Sequence, residues 1–348
     1  MSYSRAFPIP KINVNTEIPH PPSGLTNYTS PLPPSPFPLK SRASLTRQHP
    51  LTMINTAPPS TAQLSPPETP NATQLSIKFW GVRGSVPTPT KANQRYGGNT
   101  ICVEILLGNQ RIIFDAGTGL VGLGQFLQQQ DAAHQAHLFF THTHWDRIQG
   151  FPFFQPAFTP GNHFSVYGGV APNGASIKHC LTDQMLKPYF SMPLQNMRAE
   201  LAFHTLSDHT HFCIDDISVE TLQINAYTDA LGYRLTWQGH TIVYATDTPT
   251  ERIDFDFLDF VKQADILIYD GTYCDLTYLR ESLKPTLQPW EIGLELAQKG
   301  SVKELVLLHH SPMQDDDTLD RLQKRFQQKS NDCTPQVTVA YEGMVLSR

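Results

Sequence analysis

The chain has 348 residues, 39% hydrophobic and 16% charged, with a formal net charge of −5 at neutral pH. That balance gives no electrostatic case for nucleic acid or an anionic membrane, so no strong nucleic-acid signature is present. No apolar run approaches the roughly eighteen residues of a membrane-spanning helix. The five cysteines, Cys102, Cys180, Cys213, Cys274 and Cys333, are scattered and form no C-x-x-C pair. They argue against a disulfide framework and a thiolate zinc site, and for a reducing, cytoplasmic setting.

Sixteen of the 29 prolines lie before residue 75. Residues 1–75 show neither helical nor alternating periodicity and bury too little to offset ordering entropy, so they are expected to form a disordered Pro/Ser/Thr-rich tail. The tail is mildly basic and compatible with an organelle transit peptide, which keeps that localisation open; so is a true start at Met53. A polyproline tail could also recruit a protein partner. The folded domain is placed at 76–348.

Strands are expected over 76–80, 100–107 and 111–115, the last two joined by a turn at Gly108-Asn109-Gln110 and followed by a glycine-rich loop, Asp115-Ala116-Gly117-Thr118-Gly119. A helix over 123–130 follows, then a strand over 136–141. From 150 to 216 the pattern is irregular apart from a helix over 176–186, and Gly150-Phe151-Pro152-Phe153-Phe154 reads as a pocket wall. Strands at 217–224, 232–237 and 241–245 come next, then a helix at 254–262 and a strand at 264–269 ending in Asp270. Pro289 opens a helix closed by Gly300. A strand at 305–308, a helix at 318–329 and a strand at 337–341 complete the chain.

Four strands end in Asp115, His142/His144, Asp247 and His309. Strand ends gather at one edge of a layered α/β fold, the usual place for a site. In His142-Thr143-His144-Trp145-Asp146-Arg147, imidazole and carboxylate alternate at a spacing suited to zinc, manganese or iron. His209-Thr210-His211 reads as a solvated turn, His163 as structural, and Asp315-Asp316-Asp317 as a solvated helix start. Tyr227 and Arg234 have either a phosphate-contacting or a packing role.

The chain resembles the metallo-β-lactamase fold, and more narrowly its class II cyclic-nucleotide phosphodiesterase-like and ribonuclease Z-like branch. The resemblance rests on Phe79-Trp80-Gly81-Val82-Arg83-Gly84-Ser85, Tyr96-Gly97-Gly98-Asn99-Thr100, Phe114 to Gly119, the His142 loop, Gly150 to Phe154, Gly232-Tyr233-Arg234, Tyr244-Ala245-Thr246-Asp247 and His309-His310-Ser311-Pro312. It implies a four-layer αββα sandwich and two-metal phosphodiester hydrolysis. Carried across, His142 and His144 hold one metal, Asp146 and His309 the second, and Asp247 bridges them. Asp146 and Asp247 become the catalytic carboxylates, and Asp115 orients a ligand histidine from behind.

Three positions depart from the family pattern. Arg147, Ala226 and Leu287 stand where histidines are expected. Alanine offers no lone pair, leucine moves no proton, and arginine offers only donors and brings a positive charge to the second metal's place. The implied site holds one zinc or manganese ion at most, or none. The implied function is a depleted phosphodiesterase-like hydrolase; the alternative is a catalytically inactive ligand-binding or regulatory protein. Arg147 and His310 are then expected to bind a small anionic or nucleotide-like ligand. No membrane partner is expected, and the sequence leaves a homodimer open.

Overall fold

The computed structural model describes residues 74–248, 255–271, 289–329 and 335–348, all within one unit, Ser65–Arg348. Residues 1–73 of the expected tail and Leu287 lie outside the described residues, while Leu75, placed in the tail, opens the first strand. Fourteen strands are described, β1 (Leu75–Gly81), β2 (Cys102–Leu107), β3 (Gln110–Phe114), β4 (Gln135–Phe140), β5 (His163–Gly168), β6 (Glu200–Thr205), β7 (His211–Ile214), β8 (Ile217–Asn225), β9 (Ala230–Trp237), β10 (His240–Ala245), β11 (Ile266–Asp270), β12 (Glu304–Leu308), β13 (Gln336–Val339) and β14 (Val345–Ser347). They form two seven-stranded sheets, ordered β14-β1-β2-β3-β4-β5-β6 and β13-β12-β11-β10-β9-β8-β7.

Side-chain alternation along the strands builds the layers. Ile112 and Phe114 of β3, Ile242 and Tyr244 of β10, and Ile266 and Ile268 of β11 enter one shared core between the sheets. Their neighbours Ile113, Val243 and Leu267 point the other way. Strands buried on both faces read as continuous apolar runs, which is why β10, β11 and β12 show no alternation in sequence. The outward face of the first sheet is covered by α1 (Gly119–Gln128) and α3 (Ile177–Asp183), through Leu120, Leu123 and Leu127 and through Ile177 and Leu181. The second sheet is covered by α4 (Phe255–Val261), α5 (Pro289–Lys299) and α6 (Asp316–Lys329), which contribute Phe257, Leu296 and Leu319. A short α2 (Trp145–Ile148) carries the end of the histidine loop. The αββα sandwich is therefore present.

Several local expectations need correction. The stretch 150–216 holds β5, β6 and β7, beyond the single helix expected. β6 is an edge strand whose outward residues face water, so its apolar pattern is weak. Phe151 and Phe154 line the helix-side core, not a pocket, while Phe153 is exposed. The glycine-rich loop runs straight into α1, which starts at Gly119, four residues before the expected Leu123. Asp316 is buried, accepting hydrogen bonds from the amides of Arg95 and Tyr96 at 2.8 and 3.1 Å.

One glycine has a steric reason that bears on the site. A Cβ at Gly150 would lie 1.9 Å from the carbonyl oxygen of Gly117. The segment it would displace takes the Arg147 carbonyl onto the Ala116 amide at 2.7 Å. Gly150→Ala should therefore cost about 3 kcal/mol, as overpacking against backbone does. Urea unfolding checks this, and a change below about 1 kcal/mol would show that the backbone relaxes freely.

Candidate metal centre

The site forms where strands stop. Asp115 follows β3, Thr141 and His142 follow β4, Asp247 lies two residues past β10, Asp270 ends β11, and His309 follows β12. This is the carboxyl-end position at which α/β sheets place ligands. Asp115, Asp247 and His309 hold positive φ of 56°, 65° and 63°. A non-glycine residue there is strained by about 1–3 kcal/mol, and such strain is concentrated at functional sites.

His142, His144 and Asp247 form a three-donor cluster whose ligand atoms all lie within 4.8 Å of one another. His142 is buried, while His144 and Asp247 are half-buried. Asp247 is fixed from the β8–β9 turn: Asn225 Nδ2 donates to its Oδ2 at 3.2 Å and to its carbonyl at 3.0 Å, and the Thr228 hydroxyl donates to the same Oδ2. Ala226 is exposed between those two residues, so the turn that lacks the expected histidine still grips Asp247.

Behind His142 runs a relay. The Thr141 hydroxyl donates to Asp115 Oδ1 at 3.0 Å and lies 3.0 Å from His142 Nδ1. Its one proton is committed to the carboxylate, so it accepts from Nδ1–H, which leaves the Nε2 lone pair facing the cluster. Burial, aided by the nearby Arg147 charge, holds His142 well below the usual histidine range. The ring is therefore neutral, as a metal ligand must be. Its 4.0 Å approach to Asp247 Oδ2 is accordingly not an ion pair. Thr141→Val should cut divalent-metal affinity about 10–100-fold, the usual cost of losing a group that orients a ligand, while leaving the fold intact. Metal titration followed by calorimetry checks this; unchanged affinity would mean the relay does not set the ring.

Next to the cluster, Asp146 and His309 gather around a buried arginine. Arg147 is fully buried. Its Nη1 donates to Asp115 Oδ2 at 3.0 Å and to the Thr246 hydroxyl at 3.1 Å. Its Nε lies 3.5 Å from Asp146 Oδ2 and its Nη2 3.9 Å from Asp270 Oδ1. His309 bridges the same two acids, with Nε2 3.0 Å from Asp146 and Nδ1 3.2 Å from Asp270. Burial opposes the Arg147 charge, but Asp146 and Asp115 outweigh it and hold the guanidinium firmly protonated. Burial would likewise raise Asp146, yet Arg147 and the His309 hydrogen bond bring it well below the usual carboxylate range. For Asp115 burial pushes upward and Arg147 downward, with a net rise. We nonetheless take Asp115 as ionised. The Thr141 amide and hydroxyl, the Tyr244 hydroxyl and Arg147 all donate to it, and only a carboxylate accepts so many.

The sequence-derived residues thus fall into two groups: His142, His144 and Asp247 in one, Asp146 and His309 around Arg147 in the other. Three expectations change. Arg147 offers no face to a ligand, because its guanidinium is enclosed by carboxylates. His310 points away from the site, with Nε2 2.8 Å from the Ala340 carbonyl, and burial pushes its pKa down to about 3. Asp115 reaches His142 only through Thr141. Arg234 donates to the Phe260 carbonyl at 2.7 Å, closing the end of α4, so its role is packing. His163 and His211 bond Glu200 and Ser218 on the surface. Asp270 is the residue that sequence reasoning noticed only as a strand-end acid. It accepts from the amides of Asp247 and Thr248 and joins Arg147 to His309.

With this geometry in view, the comparisons are direct. Residues 110–310 match the family model described as the β-lactamase superfamily domain. The chain belongs to the β-lactamase superfamily, with hydrolases of the metallo-β-lactamase fold as its relatives. Ribonuclease Z of Alkaliphilus oremlandii (strain OhILAs) is 24% identical over 298 residues, covering 68% of this chain and 89% of that protein. Among solved structures, a diphosphatase from the PhnP family superposes with a TM-score of 0.56 at 16% identity, covering 78% of this chain and 97% of that one. The short form of human tRNase Z superposes with a TM-score of 0.53 at 18% identity, covering 78% and 98%. At such identities the structures speak for the fold alone.

Proposed function

We propose that the protein is a phosphodiesterase-like hydrolase that works with a single divalent ion held by His142, His144 and Asp247, the second ion having been replaced by Arg147. The observation that carries this reading is the pairing of an intact three-donor cluster with a buried guanidinium beside it. Two imidazoles and one carboxylate suit zinc or manganese and leave coordination positions open for water and substrate. The chemistry supplied there by a bound divalent ion is polarisation of a phosphoryl oxygen and a water that ionises near neutral pH.

The remaining roles belong to the protein's own side chains. Thr141 fixes the His142 tautomer. Asn225 and Thr228 aim the Asp247 carboxylate. Arg147 offsets part of the negative charge of Asp115, Asp146 and Asp270, as a second ion would otherwise have to do. Asp146 and His309 hold the guanidinium in place and are not free to coordinate.

A second reading, a ligand-binding protein without turnover, is favoured by one feature: Ala226 and Leu287 supply neither a ligand nor a proton donor. Stripping the protein with chelator and adding zinc or manganese stepwise separates the two. Under the first reading, hydrolysis of bis(p-nitrophenyl) phosphate rises with the first equivalent and then stays level. If metal binds and no hydrolysis appears at any loading, the binding reading replaces it.

A further inference from the structure

Four of the described segments at the site each present one large apolar side chain to solvent. The loop at 84–87 reaches Asp146 through the Ser85 amide at 3.1 Å and exposes 49% of Val86. Trp145 follows His144 directly and is 60% exposed. The turn that grips Asp247 exposes 88% of Tyr227, whose amide is held by Asn225 Oδ1 at 2.9 Å. The loop after His309 packs beside the first one, with the Gly84 amide on the His310 carbonyl at 3.0 Å, and exposes 83% of Met313.

Single exposed apolar residues are ordinary on protein surfaces, but one on each of four loops converging on one site is not. The charge of the same loops is equally one-sided. Residues 84–90, 225–229 and 311–315 contain no lysine or arginine, and Arg147 in the fourth loop is buried. A polynucleotide is gripped through many phosphate contacts from basic side chains, and these loops provide none.

We propose that the rim formed by Val86, Trp145, Tyr227 and Met313 selects a small phosphate ester with an apolar substituent and does not serve a polyribonucleotide. This rests on the single-ion reading above, since the phosphate would sit at the His142–His144–Asp247 cluster. Stacking and apolar contact with Trp145 and Tyr227 then supply the discrimination, each aromatic face adding affinity without reading charge.

The test uses the full chain loaded with zinc and compares phenyl phosphate, methyl phosphate and an RNA hairpin with a single-stranded 3′ end by titration calorimetry. Phenyl phosphate is expected to bind about tenfold more tightly than methyl phosphate, the scale of one lost stacking contact. The double variant Trp145→Ala/Tyr227→Ala should erase that preference while keeping its metal content and its affinity for methyl phosphate. Met313→Ser, on a separate loop, should reduce the preference by a smaller factor. Equal binding of the two esters overturns the proposal, as does tighter, strongly salt-dependent binding of the hairpin. A chain that takes up no zinc yet still prefers phenyl phosphate would refute the metal reading and leave the rim assignment standing.

Discussion

Arg147→Ala is expected to lower the unfolding free energy by about 3–5 kcal/mol, the effect of removing one partner from a buried ionic cluster. The physical cause is what remains. Asp115, Asp146 and Asp270 are buried carboxylates that share this guanidinium. Without it they must protonate or draw in water and a cation. His309 still contacts Asp146 and Asp270, while Asp115 loses its guanidinium donor. Arg147→Met is the informative companion, since it keeps apolar bulk and removes only the charge. Urea unfolding of both variants measures the effect. A loss below about 1 kcal/mol in both would mean that the cluster is not held together by charge.

His142→Ala should abolish metal binding at the three-donor cluster and hydrolysis with it. The ring supplies a neutral nitrogen already oriented by Thr141, and without it the cluster keeps two donors, His144 and Asp247. Loss of a group that merely orients a ligand weakens binding about 10–100-fold, so loss of the ligand should exceed the upper end of that range. The fold should survive, because an imidazole at the site edge adds little to the sheet cores. Metal content and bis(p-nitrophenyl) phosphate turnover are the two readouts. A variant with wild-type metal content would place the ion elsewhere.

The layered fold was legible because its central strands are apolar runs of strand length bounded by turns. β10, β11 and β12 each match such a run, and each ends in the acid or histidine that marks the site. The helices α4, α5 and α6 were visible from their periodicity and from Pro289 and Gly300. Two of the strands that escaped have little apolar signal of their own. β6 is mostly exposed at a sheet edge, and β14 is three residues paired to β1.

At the site, the residue types were readable while their partnerships were not. His142 and His144 share one motif, and Asp247 joined them through the family resemblance. The destination of Arg147 depends, besides its neighbour Asp146, on three segments far apart in sequence, at Asp115, Thr246 and Asp270. Local pattern gives no measure of that convergence, so a fully buried guanidinium looked like a ligand-binding one. His310 was misread for a related reason. Neighbouring residues just past a strand face opposite sides, and the sequence does not say which of His309 and His310 faces in.

The proposed replacement is that of a metal ion by Arg147. It is tested most directly by metal stoichiometry, measured by elemental analysis on wild-type protein and on Arg147→His after equilibration with zinc. The wild type should hold a single ion, and Arg147→His should hold a second, because Asp146 and His309 are released and the competing charge is gone. A wild type that binds two ions, or an Arg147→His variant that remains at one while folding normally, would contradict the account.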